Sequence, residues 1–190
     1  YSTTGSSNVR NAQPFLIDSR HGPIALAHNG NIVNAGDIRK RLLDRGVGLT
    51  SASDTELMIM DLAGRGEADW VSRIRAAMNS WIGAYSFVAL TPEGVFAARD
   101  SWGLRPLSYG VTAEKAFVIA SETCALTTLG CHEIHEIAAG QIVSCDAEGR
   151  VSVTGPGEGA APKKQASCIF EFVYFSRPDS VWNGHSVHEV

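Results

Sequence analysis

The tripeptide His28-Asn29-Gly30 runs out of the apolar stretch Ile24 to Ala27 and into Asn31-Ile32-Val33-Asn34. It sets a side-chain amide beside a residue with no Cβ. An Asn Nδ2–H and a Gly backbone N–H held together could stabilise the negative charge that develops on a carbonyl oxygen during acyl transfer, and a bare glycine lets the reacting group come close. The same tripeptide also reads as a plain strand-to-loop exit, because Asn and Gly are turn residues. Both readings predict a short strand over Ile24–His28 that ends at the histidine. His28 is then a strand-end structural residue. Cys131, His132 and His135 form a short Cys/His group, but a strand would put Cys131 and His135 on one face and His132 on the other, which argues against a metal site.

The elements that must hold these residues can be read along the chain. Residues 1–13 are rich in Ser, Thr, Asn and Gly and suit a loop, and Gly22-Pro23 turns the chain into the strand at Ile24. Asn34 is an N-cap for a helix to Arg45, with Ile38, Leu42 and Leu43 at helical spacing and Gly46 beyond its end. Ser53-Asp54-Thr55-Glu56 has the capping-box pattern, so a second helix starts at Ser53 and closes near Gly64. Asp54 falls in its first turn, where an acid complements the helix dipole. A third helix over Asp69–Trp81 carries Trp70, Ile74, Ala77, Met78 and Trp81 on one face, a core stripe.

Beyond Gly83 the period changes to two. Tyr85–Leu90 and Gly94–Arg99 flank Thr91-Pro92-Glu93-Gly94 and predict a hairpin. Ala116–Ala120 is a further strand, Glu122–Leu129 a short helix, and Ile134–Ala138, Gln141–Asp146 and Val151–Thr154 a meander. GPGEGAAPKKQ over 155–165 has linker composition. The chain therefore divides into a main unit over 1–154, a linker over 155–166 and a further segment over 167–190. It opens at Tyr1 without an initiator Met and stops at Val190 in a polar stretch, so both ends read as cuts through a longer protein.

Composition narrows the function classes. With 190 residues, 44% hydrophobic and 19% charged, the chain can build a substantial core. A net charge of −4 and the lack of a polybasic cluster beyond Lys163-Lys164 give no reason to expect nucleic acid. No apolar run reaches membrane-span length, so the expectation is a cytoplasmic protein with no membrane partner. Cys124, Cys131, Cys145 and Cys168 contain no C-x-x-C pair and read as reduced, buried small hydrophobes.

Taken together, several segments resemble the glutamine-dependent amidophosphoribosyltransferases. They are Tyr1-Ser2-Thr3-Thr4-Gly5, Asn11-Ala12-Gln13-Pro14-Phe15, Leu26-Ala27-His28-Asn29-Gly30-Asn31, Ser53-Asp54-Thr55-Glu56, Gly83-Ala84-Tyr85-Ser86, the run from Arg99 to Leu107 (RDSWGLRPL), Ser121-Glu122-Thr123-Cys124-Ala125-Leu126, and the run from Phe170 to Ser180 (FEFVYFSRPDS). They occur in the family's order. The His-Asn-Gly and Ser-Asp-Thr-Glu segments resemble class II glutamine amidotransferases in general, including asparagine synthetases, while the last block resembles the junction into a phosphoribosyltransferase domain. Two rival readings stay open at this point: another class II amidotransferase close to asparagine synthetase, and a non-catalytic binding module that keeps the fold.

The resemblance implies an α+β fold, the N-terminal-nucleophile hydrolase four-layer α/β/β/α sandwich, truncated at its N-terminus. It implies a cysteine nucleophile exposed as a first residue upstream of Tyr1, with its own α-amino group as base, and a glutamine-binding arginine directly before Tyr1. This chain would then be a fragment unable to hydrolyse glutamine alone. Asn29 and Gly30 match the oxyanion-hole pair, Asp54 the carboxylate that holds the substrate α-ammonium, Thr3 a contact to the glutamine carboxylate, and Tyr1 the loop that closes over glutamine. Arg99, Asp100 and Arg105 are expected to pair within their own turn and stabilise it. Cys168 matches one of four thiolates that hold a 4Fe–4S cluster in one branch of the family; one thiolate holds none. The implied reaction makes 5-phosphoribosylamine from glutamine and phosphoribosyl diphosphate, the first committed step of purine (IMP) biosynthesis. Mg²⁺ belongs to the transferase domain outside this chain, and homo-oligomers and feedback by purine nucleotides are family expectations.

Overall fold

A computed structural model describes residues 8–156 and 166–189. The elements in chain order are β1 (Phe15–Ser19), β2 (Gly22–Ile32), α1 (Ala35–Asp44), α2 (Asp54–Ala63), α3 (Trp70–Met78), β3 (Gly83–Thr91), β4 (Gly94–Arg99), β5 (Ser108–Thr112) and β6 (Phe117–Ala120). They continue with α4 (Thr123–Thr128), β7 (Cys131–Glu136), β8 (Ile142–Asp146), β9 (Val151–Thr154), a π-helical turn over Glu171–Phe175, and the short pair β10 (Val181–Trp182) and β11 (His185–Ser186).

Two antiparallel sheets stack. The larger has the order β1-β2-β3-β4-β8-β9 and the smaller β6-β5-β7. On one face of the larger sheet, Ile24, Leu26 and Ile32 of β2 join Tyr85, Phe87 and Ala89 of β3 in a core with Ile38 and Leu42 of α1, Leu57, Ile59 and Leu62 of α2, and Trp70 and Ile74 of α3. On the other face Ala97 and Val143 pack with Leu107, Ile137, Tyr109, Phe117 and Ile119. Helix α4 lies against the smaller sheet. The layers are helix, sheet, sheet, helix, as the resemblance implies.

Period-two alternation explains why β2 serves both faces: each apolar side chain on the helix side removes about 1.5–3 kcal/mol worth of surface from water, while the odd-numbered positions face the second sheet. The β3–β4 hairpin closes at Thr91↔Gly94, as its turn residues predict. Several elements differ from the sequence reading: α3 ends at Met78 and not at Trp81, and β7 starts at Cys131 and joins the smaller sheet, apart from the β8–β9 pair with which a meander was expected. Strand β2 runs on to Ile32 instead of ending at His28. Asn34 is the N-cap position of α1 but makes no side-chain cap bond; its side chain donates to Ser80 O at 3.0 Å and accepts from Ile82 N–H at 2.9 Å, tying α1 to the entry of β3. Strands β1 and β5, short and without a clear alternation, were not expected.

The capping box at α2 is only half formed. Ser53 accepts from Thr55 N–H at 3.2 Å, but its own N–H goes to Ser51 Oγ. Glu56 instead takes the N–H and hydroxyl of Thr50 and of Ser51, four bonds at 2.7–2.8 Å. Burial works against that charge, yet the four donors outweigh it and hold the Glu56 carboxyl below its ordinary value.

Candidate functional site

Strand β1 accompanies β2 only over Gly22–Leu26, whereas β3 pairs with it from Ala25 to Ile32. Past Leu26, the N–H groups on the β1 side of β2 turn to side chains. His28 N–H donates to Gln13 Oε1 at 2.5 Å, and Ile32 N–H donates to Asp54 Oδ2 at 2.9 Å. The two-residue period of the ladder places the Gly30 N–H on the same edge, between those two.

The donors are therefore fixed by a sheet and not by a turn. Asn29 stands opposite Ser86 and Gly30 opposite Tyr85, in the middle of the β2–β3 ladder. This overturns both halves of the strand-exit reading, because His28-Asn29-Gly30 is neither an exit nor a bend. Gly30 has φ +132°, and a Cβ there would lie 2.0 Å from Ala84 O. The approach of β3 alone requires glycine at this place.

Asn29 lines a cavity of about 210 Å³ between the two sheets, with Ser86, Leu107, Ile119 and Ser121 among its walls. Asp54 is not one of them. It is the first residue of α2, 1% exposed, and sits on the other side of β2 with its carboxylate at the strand edge. Asn29 and Asp54 thus lie on opposite faces of β2 and do not border one cavity.

His28, mid-strand, points to the helical layer, where its Nδ1 lies 2.7 Å from Thr55 Oγ1. Its Nε2 is buried and has no hydrogen-bond partner among the described residues. Burial holds the imidazole below its ordinary pKa; the Asp54 charge pulls it back up, and Arg105 adds to the depression.

The RDSWGLRPL turn is held otherwise than expected. Arg99, fully buried, pairs with Glu136 at 2.8 Å and donates to Ile137 O and Gly103 O. Asp100 accepts the N–H groups of Tyr85, Trp102 and Leu104 at 2.8–3.1 Å; burial raises its carboxyl pKa against those bonds. Arg105 pairs with Glu171 at 2.7 Å. The expected ion pairing within the turn is not formed: Arg99 and Arg105 take carboxylate partners outside it, while Gly103 O and the Trp102 and Leu104 N–H groups supply bonds inside it.

Tyr1 and Thr3 lie outside the described residues. Cys131, Cys124 and Cys145 are buried free thiols, and Cys168 is half-buried. A bulge between Val111 and Thr112 shifts the β5–β7 register, so Cys131 opposes Thr112 while His135 opposes Tyr109. Those two positions fall on opposite faces, contrary to simple alternation. Among the described residues no three His, Cys, Asp or Glu side chains gather as a metal site, and no helix is long and apolar enough to cross a membrane.

Residues 4–128 match the family model of the glutamine amidotransferase domain. The chain belongs to that family. This glutamine amidotransferase domain is 42% identical over 193 residues to the amidophosphoribosyltransferase of Synechocystis sp., covering 99% of this chain and 38% of that protein. It is 34% identical to the amidophosphoribosyltransferase of Homo sapiens, covering 100% of this chain and 40% of that protein. Among solved structures it is similar to the B. subtilis glutamine phosphoribosylpyrophosphate amidotransferase complexed with ADP and GMP, at TM-score 0.86 and 34% identity over 96% of this chain and 39% of that one. A second, described as the allosteric regulatory enzyme of purine biosynthesis, gives TM-score 0.88 and 35% identity over 99% and 40%. The chain spans about two fifths of the length of the curated relatives it matches. Its fold is that of the N-terminal-nucleophile hydrolases.

The cavity of the amidotransferase domain also holds two residues to which the sequence reading gave no role of their own. Ser86 and Ser121 share the cavity with Asn29. A polar residue inside the apolar run Tyr85–Leu90 was the available signal for Ser86.

Proposed function

We propose that the protein carrying this chain is an amidophosphoribosyltransferase: it frees ammonia from glutamine and uses it to convert phosphoribosyl diphosphate to 5-phosphoribosylamine, releasing glutamate and diphosphate. The observation that carries the reading is the Gly30 N–H on the edge of β2 that also meets the Asp54 carboxylate, with Asn29 next to it on the opposite face of the strand.

A thiolate from outside this chain adds to the carboxamide carbon, and the carbonyl π electrons move to oxygen. The Asn29 amide and Gly30 N–H stabilise that oxyanion; as it collapses the C–N bond breaks, the nucleophile's α-amino group returns the thiol proton to the departing nitrogen so that it leaves as ammonia, and water then cleaves the thioester to glutamate and restores the thiol. Asp54 holds the α-ammonium of glutamine; a buried carboxylate at a helix start is suited to a charged partner. Tyr1 would belong to the loop that closes over glutamine, and Thr3 would contact the glutamine carboxylate. In the second half-reaction ammonia displaces diphosphate at the ribose carbon. Mg²⁺ would serve that step in the remainder of the protein. Cys168 supplies at most one thiolate to an iron–sulfur cluster, and no step is assigned to one. Purine nucleotides act as feedback ligands and the protein works as a homo-oligomer in the cytoplasm; the nucleotide-bound neighbour supports the first.

The test is product stoichiometry. Full-length protein given glutamine, phosphoribosyl diphosphate and Mg²⁺ should form glutamate and diphosphate in equal amounts. Glutamate without diphosphate would point instead to a different acceptor.

A further inference from the structure

The end of the linker and the segment after it fold back on the amidotransferase domain through a small set of polar contacts. Ala166 N–H donates to Trp102 O at 2.9 Å, Asn183 N–H to Glu136 Oε2 at 2.9 Å, and Arg177 N–H and Ser180 Oγ to Glu122 Oε2 at 2.7 and 3.0 Å. One contact differs in kind. Arg105 and Glu171 form an ion pair at 2.7 Å whose side chains are 16% and 3% exposed, and the Arg105 guanidinium lies 5.1 Å from the centre of the Phe175 ring. Ser176 Oγ, 3.3 Å from Glu171 Oε2, completes the group.

Arg105 stands directly before Pro106, and Pro106 O accepts the hydroxyl of Ser86 at 3.1 Å. Ser86 is buried, opposes Asn29 in the β2–β3 ladder and shares the inter-sheet cavity with it. A continuous path of short contacts therefore leads from the π-helical turn at Glu171 through Arg105 and Pro106 to the residue that backs the Asn29 strand. The Arg177–Asp179 pair, by contrast, is exposed on both sides.

We infer that Arg105 is a positioning residue: clamped to Glu171, it fixes the Pro106 carbonyl and through Ser86 sets the geometry of the Asn29 strand, so that the segment after the linker helps assemble the glutamine site. The inference rests on the function proposed above. A carboxylate buried to this degree with one cation partner keeps that partner in a defined place, and a guanidinium stacked on a ring has little freedom to drift. Small displacements of oxyanion donors affect the transition state more than substrate binding.

The experiment measures glutamine-dependent and ammonium-dependent rates of the full-length protein for wild type, Arg105→Met, Arg105→Lys, Glu171→Gln and the exchange Arg105→Glu with Glu171→Arg. Arg105→Met and Glu171→Gln should each lower the glutamine-dependent kcat by about tenfold to a hundredfold, with KM for glutamine and the ammonium-dependent rate within about twofold. The exchange should recover at least about threefold of that loss, because the two residues act as a pair. If Arg105→Met does not fold, Arg105→Lys, which keeps the charge without the planar fork, should show the same kcat loss in milder form. An unchanged glutamine rate in a folded variant, or equal loss with both nitrogen sources, overturns the inference. A wild type that makes no diphosphate from glutamine overturns the proposed function instead.

Discussion

The Asp54 carboxylate accepts the backbone N–H of Ile32 at 2.9 Å, so the start of α2 is bonded to the strand that carries Asn29 and Gly30. One carboxylate thus both anchors a helix and presents charge at the strand edge. Asp54→Asn keeps an acceptor for Ile32 while removing the charge. Losing a charged hydrogen bond to the substrate ammonium should raise KM for glutamine about 10–100-fold with little change in stability. Steady-state kinetics together with urea unfolding would check it; a large stability loss with unchanged KM would assign Asp54 to the fold alone.

Gly30→Ala is expected to fail as a protein before it fails as an enzyme. The new Cβ would meet Ala84 O at 2.0 Å in a backbone region that L side chains avoid. A destabilisation of about 3 kcal/mol or more follows from clash and strain together. Chemical denaturation of the variant measures it, and a midpoint equal to wild type would contradict the ladder geometry described for β2 and β3.

His28 gives a pH dependence of known sign. Its imidazole pKa is lowered in the folded protein, chiefly by burial, so between that value and about 6.5 the unfolded chain binds more protons than the folded one. The stability it contributes is full above about pH 6.5 and is lost as the pH falls from there towards the lowered folded value. Urea midpoints measured from pH 7.5 to pH 5 should decline, and His28→Gln should flatten part of that decline. An identical slope in the variant would exclude His28 as the source.

Glu56 concentrates four short hydrogen bonds on one buried carboxylate. Glu56→Ala leaves the Thr50 and Ser51 donors without it and should cost about 2–4 kcal/mol. The effect should reach Ala52, whose N–H lies 3.3 Å from Asn11 Oδ1, so amide exchange ought to quicken over 50–52 and beside Asn11. Quickened exchange confined to α2 would show that Glu56 does not hold that loop.

Much of the helical layer was legible in the residues. The stripe Trp70, Ile74, Ala77 and Met78, the N-cap Ser53, and the Pro92-Glu93 hairpin behave as local chemistry predicts. What local reading could not supply was long-range pairing. Asn29 and Gly30 look like a turn because their own preferences favour one, and only the eight-residue ladder with β3 keeps them extended. Arg99 and Arg105 find Glu136 and Glu171, far along the chain, where a local reading looked within the turn. Glu56 likewise matched a helix-cap pattern but serves the preceding loop. Asn29, Gly30 and Asp54 were picked out by type and resemblance, whereas their arrangement on two sides of one strand came from the fold.

The most direct test of the account is the Asn29→Ala variant of the full-length protein, assayed in parallel with glutamine and with free ammonium. Removing one oxyanion donor should lower the glutamine-dependent rate by ~10²–10³ while leaving the ammonium-dependent rate near wild type. Equal loss with both nitrogen sources, or a glutamine-dependent rate that survives intact, would contradict it.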